Sequence, residues 1–272
     1  MIACLRPASA APSSCKICGG EASLFGVVDF NRSCEDWRAV LFPLSGVPVY
    51  YRRCAECKFI FTDAFDDWSI EQFTTHIYND DYRLVDHEYV CDRPRANADA
   101  VARLWGAIRT ETRVLDYGGG NGTFCAALRD AGFPVAVTFD PLVPEHATPP
   151  EGKFDLVTSF ETFEHLPDPA AAIASILQFM AEPGLILFST TLQPADIEMQ
   201  RLNWWYAAPR NGHVSLFSSE ALKRAWGRHG YKVATLANSF HFAFRTLPPF
   251  LAHLENLDST GQSRSSAPPP AA

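Results

Sequence analysis

The run Asp116-Tyr117-Gly118-Gly119-Gly120-Asn121-Gly122 constrains this chain more than any other stretch, because of what flanks it. Before it stands VLDY, a short apolar strand-like run. After it comes TFCAALRDA, where Phe124, Ala127, Leu128 and Ala131 recur on one helical face and Gly132 marks the stop. A strand, a glycine loop and a helix start in that order present bare backbone N–H groups, backed by the helix dipole, to a ligand. Glycine serves where the chain turns with positive φ and a ligand must approach the backbone closely. Asp140, at the end of the next strand-like run PVAVTFD, is well placed to accept both ribose hydroxyls of a nucleoside.

The alternation of helix and strand continues on both sides of the loop. Val101, Leu104, Trp105 and Ile108 recur at helical spacing, while FDLVTSFE (154–161) and LILFSTT (185–191) read as further strands. Asp168 is expected to cap the helix between them, with Pro169 in its first turn. A last helix starts near Ser218, followed by the strands YKVATLA and HFAFRTL. The pattern predicts an α/β protein with a Rossmann-like, doubly wound and mostly parallel sheet.

Ahead of this part, Cys15-Lys16-Ile17-Cys18 and Cys54-Ala55-Glu56-Cys57 form two C-x-x-C knuckles separated by short β-like runs. Four thiolates at this spacing can close a tetrahedral site on Zn2+, leaving no open position for a substrate, so Cys15, Cys18, Cys54 and Cys57 point to a structural zinc ribbon. The alternative is four buried free thiols. The N-terminus lacks the long apolar core of a signal peptide, and no apolar run is long enough to span a membrane, which together predict a cytoplasmic protein. The expected division is a tail at 1–13, a zinc-binding ribbon at 14–62, a connector with short helices at 63–92, the α/β domain at 93–252 and a second tail at 253–272.

Read as D-x-G-x-G-x-G, the loop resembles motif I of the class I S-adenosylmethionine-dependent methyltransferases. FDLVTSFETFEHLPDP (154–169) and EPGLILFSTTLQP (182–194) are similar to that family's fourth strand and the turn into its fifth. The resemblance implies S-adenosyl-L-methionine as cofactor. Asp116 and Gly118, with Gly119 beside them, would face its methionine moiety, Gly120 and Gly122 would give the backbone room, Asp140 would hold the ribose, and Phe160 and Glu161 would line the sulfonium. One departure is visible: only fourteen Pro-rich residues separate Asp140 from Asp155, where the family places a helix and a third strand. That region is shortened, leaving Pro141 and Leu142 to supply an apolar wall. A dinucleotide-binding dehydrogenase is disfavoured by Thr123, which stands where a third glycine is expected.

A ribbon ahead of such a domain resembles the sugar C-methyltransferases of deoxysugar pathways and, alternatively, ribbon-bearing rRNA guanine methyltransferases. The net charge of −8 argues against nucleic acid and favours a small-molecule acceptor, with a nucleotide sugar as one candidate. A non-enzymatic donor-binding scaffold is the remaining alternative. In the sugar C-methyltransferases a pair resembling Glu164-His165 supplies the general base, although the same E-H-x-P-D-P occurs in quinone-type O-methyltransferases and His165 could simply cap the turn before Pro167. His213 joins them as a catalytic candidate in NWWYAAPRNGHVSLFS, a segment expected to form a substrate lid. Trp205 and Tyr206 would wall its pocket and Arg210 and Asn211 contact the substrate; the alternative is that the aromatics are core and His213 caps backbone. The remaining histidines show no H-x-H or H-E-x-x-H spacing, which argues against a catalytic metal.

Overall fold

The computed structural model describes residues 12–36, 42–237 and 239–247. The expected second tail lies outside them, as does most of the first. Ser13, assigned to the first tail from sequence, instead begins strand β1 (Ser13–Ser14), which pairs with Ala22 and Glu21.

Two sheets organise the chain. The larger contains β5 (Arg113–Tyr117), β6 (Val135–Phe139), β7 (Phe154–Ser159), β8 (Met180–Ser189), β10 (Lys232–Ala237) and β11 (Phe240–Phe244), in the order β10-β11-β8-β7-β5-β6. Strands β6, β5, β7 and β8 run parallel, while β11 pairs antiparallel with both β8 and β10. Both faces of this sheet are covered, as its apolar strands demand. On one face Ile173 and Ile176 of α5 (Pro169–Phe179), with Leu222 and Trp226 of α7 (Ser219–Gly227), pack on Val157, Ile186 and Phe188. On the other, Val101 of α3 (Asp92–Leu104), the adjoining Trp105, and Phe124 and Leu128 of α4 (Thr123–Asp130) pack on Val114, Leu156 and Leu185. Asp168 does cap α5, accepting from the Ala171 amide at 3.0 Å behind Pro169. Between β6 and β7 there is only a single 3-10 turn, Pro144–His146, so β6 is the edge of the sheet.

The smaller sheet is antiparallel: β1, β2 (Glu21–Asp29), β3 (Pro48–Cys54), β4 (Ile60–Phe61) and β9 (Ser215–Leu216), in that order. Its last strand comes from the far end of the chain. Around it Phe25, Tyr51, Phe65, Trp68, Trp204 and Val214 form one buried cluster, which joins the N-terminal segment to residues 197–216. Two short helices, α1 (Ile70–His76) and α2 (Tyr82–Val85), bridge towards α3, and α6 (Ile197–Gln200) follows β8.

Candidate active site

Strand β5 delivers Asp116 to the carboxyl edge of the large sheet, where the chain turns through Gly118, Gly120 and Gly122 at φ of 75°, 55° and 78°. Gly119 is demanded by space instead. A Cβ there would lie 2.3 Å from the Asp116 carboxylate, whereas one at Gly120 would meet nothing within 4 Å, which marks the open side of the loop. Asp140 ties the next strand to this loop: its carboxylate accepts from the Gly120 amide and the Leu142 amide, both at 2.9 Å. Pro141 is exposed beside it, and His146 of the 3-10 turn sits against Gly122. Asp116 is buried, accepts from the Thr158 hydroxyl at 2.7 Å, and is pushed up to about 7 by burial, helped by nearby Asp140.

The carboxyl end of β7 supplies the next groups. The Phe160 ring stands edge-on to Phe124 and Phe240. Glu161 adopts φ of 49°, and both its amide and its carboxylate meet the Ser189 hydroxyl at 2.7 Å. Desolvation, and then the neighbouring Glu164, raise its carboxyl to about 7 against the opposing pull of Ser189 and Arg93.

Glu164 and His165 occupy a 3-10 turn, Phe163–His165. Glu164 is wholly buried, and among the described residues neither of its oxygens has a hydrogen-bond partner of good geometry; the Thr190 hydroxyl and His165 Nδ1 are likewise unpartnered. Burial raises the Glu164 carboxyl, with the nearby Tyr206 hydroxyl acting in the opposite direction. His165 Nε2 lies 3.9 Å from Glu164, and burial lowers its imidazole to about 4. His213 stands perpendicular to it, ring centroids 5.0 Å apart, and is also lowered by burial. His213 Nδ1 is 2.9 Å from the Tyr206 carbonyl, so it carries the proton and leaves Nε2 as the basic nitrogen. Two imidazoles kept neutral by burial beside a buried carboxyl can accept a proton in passing but release it again at neutral pH. The ligand atoms of Glu164, His165 and His213 also lie within 4.8 Å of one another, a set that could hold a cation; sequence spacing gave no sign of it because His213 arrives from a distant loop.

The remaining candidates divide. Trp205 is 47% exposed and lines a cavity of about 430 Å3 together with Cys34, Asp86 and Arg93. Tyr206, Arg210 and Asn211 are instead buried. Arg210 donates to the Ile77 carbonyl at 2.9 Å and to Asn79 at 2.8 Å, and Asn211 accepts from the Cys34 amide while donating to the Val85 carbonyl. In the structure these polar groups hold the segment in place, since a buried guanidinium or amide must find partners. Sequence reading did not single out Arg93, whose two terminal nitrogens donate to Asp86 and which approaches Glu161 at 3.9 Å. Its place at the start of α3 carries no local signature.

The four knuckle cysteines do come together. Cys15 and Cys57 sulfurs are 3.5 Å apart, those of Cys18 and Cys54 are 3.4 Å apart, and all four fall within 4.8 Å of one another. Tetrahedral zinc with ~2.3 Å bonds to sulfur needs sulfurs about 3.8 Å apart, so the donor set fits that ion. The two turns match: Gly19 and Lys58, each just after its second cysteine, take φ of 76° and 63°. No helix among the described residues is long and apolar enough to cross a membrane.

A family model described as a methyltransferase domain matches residues 89–236, more than half of the chain. The ubiquinone biosynthesis O-methyltransferase of Aromatoleum aromaticum is 44% identical over 46 residues, 17% of this chain and 20% of that protein. The Escherichia coli protein of the same name is 30% identical over 101 residues, 29% of this chain and 42% of its own length. The matched stretches therefore span less than half of these curated relatives. Among solved structures, an O-methyltransferase family protein from Burkholderia thailandensis aligns with a TM-score of 0.49 at 14% identity, covering 66% of this chain and 63% of that one. Magnesium protoporphyrin IX methyltransferase from Synechocystis PCC 6803 aligns with a TM-score of 0.44 at 14% identity, covering 56% and 83%. With the family match running from the start of α3 through the glycine loop and the Glu164–His165 turn into β10, the chain belongs to the methyltransferase-domain family.

Proposed function

We propose that this protein moves a methyl group from S-adenosyl-L-methionine to a small-molecule acceptor. The observation that carries the reading is the joining of two features at one sheet edge: a positive-φ glycine loop tied to Asp140, and a proton-accepting group made of Glu164, His165 and His213. The donor supplies an electrophilic methyl on a sulfonium. Asp116 and the amides near Gly118 and Gly119 hold its methionine end, Asp140 its ribose, and Pro141 with the 3-10 turn its base, while Phe160 and Glu161 line the reacting carbon. When bound, the donor would supply its methyl in line to the acceptor atom and keep the electron pair on sulfur, and His165 is the group placed to take the acceptor's proton.

The acceptor enters by the cavity at Trp205 and Arg93, whose ring and charged pair orient it; Tyr206, Arg210 and Asn211 shape that wall from behind. A nucleotide sugar and an O-methyl acceptor like those of the ubiquinone-pathway relatives are the first two acceptor classes to try. Zn2+ on Cys15, Cys18, Cys54 and Cys57 serves structurally, and four cysteines used as metal ligands fit a reducing compartment such as the cytoplasm.

Calorimetric titration of the zinc-loaded protein with S-adenosylmethionine, with NAD as control, tests the reading. Micromolar binding of the first alone is expected. Equal heats from both, or none from S-adenosylmethionine, would refute it.

A further inference from the structure

The segment Arg210–Val214 is held by the N-terminal residues along nearly its whole length. The Arg210 amide donates to the Arg32 carbonyl at 3.0 Å, and the Cys34 amide donates to Asn211 Oδ1 at 2.8 Å. The Tyr51 hydroxyl donates to the His213 carbonyl at 2.6 Å, and the Thr62 amide to the Val214 carbonyl at 3.0 Å. From the opposite side, the Val214 amide donates to the Glu164 carbonyl at 2.8 Å. The strap that carries one catalytic candidate is thus clamped between β3 and the turn that carries the other two.

Two side chains of this clamp meet His213 itself: Cys34 Sγ lies 3.7 Å from its Nδ1, and the Tyr51 hydroxyl holds its main chain. Tyr51 is wholly buried on β3, whose last residue, Cys54, belongs to the cysteine cluster. A buried carbonyl without its donor costs free energy, so the hydroxyl fixes where the His213 main chain sits. The Tyr206 carbonyl then fixes the ring and its tautomer.

We propose that Tyr51 is a positioning residue for the His165–His213 pair, so that the cysteine-bearing sheet completes the proton-accepting half of the site. This rests on the methyl-transfer reading for its purpose, but its test does not depend on knowing the acceptor. The full-length, zinc-loaded protein and its Tyr51→Phe variant, which keeps the ring and loses the hydroxyl, are compared by nitrogen-edited NMR of the histidine rings at pH 7.5. His213 is assigned with His213→Gln. His241 is the internal control, being fully buried and held by Thr190 and Thr235 rather than by Tyr51 or Cys34.

In the wild type, His213 is expected as a single Nδ1–H tautomer. In Tyr51→Phe, solvent protection of that proton should fall about tenfold, the factor one net hydrogen bond carries, with His241 unchanged. An unaltered His213 signal overturns the proposal, as does parallel loosening of His213 and His241. If the variant unfolds at 25 °C, spectra at 10 °C with saturating S-adenosylmethionine decide on the same criteria. Failure of the wild type to bind S-adenosylmethionine would remove the methyl-transfer reading while leaving the effect on His213 to be judged by itself.

Discussion

The glycine loop is closed by a hydrogen bond spanning 20 positions, from the Gly120 amide to Asp140, whereas the Arg210–Val214 strap is anchored by Tyr51 and Cys34 across 162 and 177 positions. The loop lies within one strand–helix–strand unit, and its shape follows from left-handed glycines and from the space that Gly119 leaves for Asp116. The strap has no such local logic. Its polar side chains are consumed by Ile77, Asn79, Val85 and Cys34, so its position reports how three distant segments pack. A loop made locally can tolerate change around it. A strap held by three segments depends on all of them.

The largest test of this contrast targets the zinc proposed for the cysteine cluster. Stripping the cysteine cluster with a chelator, or Cys54→Ser, should cost several kcal/mol and lower the melting temperature by roughly 10–20 °C. The contrast predicts that S-adenosylmethionine binding, measured below the new transition, changes little; a loss as complete as that of the strap would break it. Next comes Asp140→Ala, which removes the acceptor for two loop amides. It should weaken S-adenosylmethionine by about 100-fold in calorimetry while leaving the strap's histidine signals in place.

Asp116→Asn sharpens the comparison through pH. The folded carboxyl is raised from its ordinary 3.8 to about 7 by burial, so the folded state holds more protons than the unfolded one between those values. Stability from this group is present at low pH and is lost as pH rises through that window. The amide, which still accepts from Thr158, should therefore make the ligand-free protein more stable at pH 8 than the wild type, by roughly 2–4 kcal/mol, with little gain at pH 4. Chemical denaturation at the two pH values checks the sign. The smallest effect belongs to Trp205→Ala. Being half exposed, it should lower the melting temperature by only about 5 °C, yet raise KM for an identified acceptor several-fold with donor affinity unchanged.

The same difference in range explains what could be read from the amino acids. The glycine run, Asp140, the Asp168 cap and the missing unit before β7 are visible because each is a short-range signal: positive φ, a strand end, an N-cap, too few residues for a helix and a strand. The two cysteine knuckles were legible for the same reason. Arg210 and Asn211 looked like substrate groups because polar residues in a loop usually face solvent, and only the packing of α1, α2 and the Arg32–Cys34 turn buries them. The cavity at Arg93 and the clamp at Tyr51 had no signature, since each is defined by partners from elsewhere in the chain.

The pairing of β4 with β9 has a further consequence for the newborn chain. Ile60 and Phe61 leave the ribosome roughly 150 residues before Ser215 and Leu216 arrive, which at ~5–20 residues per second is about ten seconds or more. Through that interval one border of the cysteine-bearing sheet is a bare strand offering its main-chain groups to any passing neighbour. The cysteine-bearing sheet, made long before residues 215–216, is thus finished only with them, and its vulnerable time is set by translation speed.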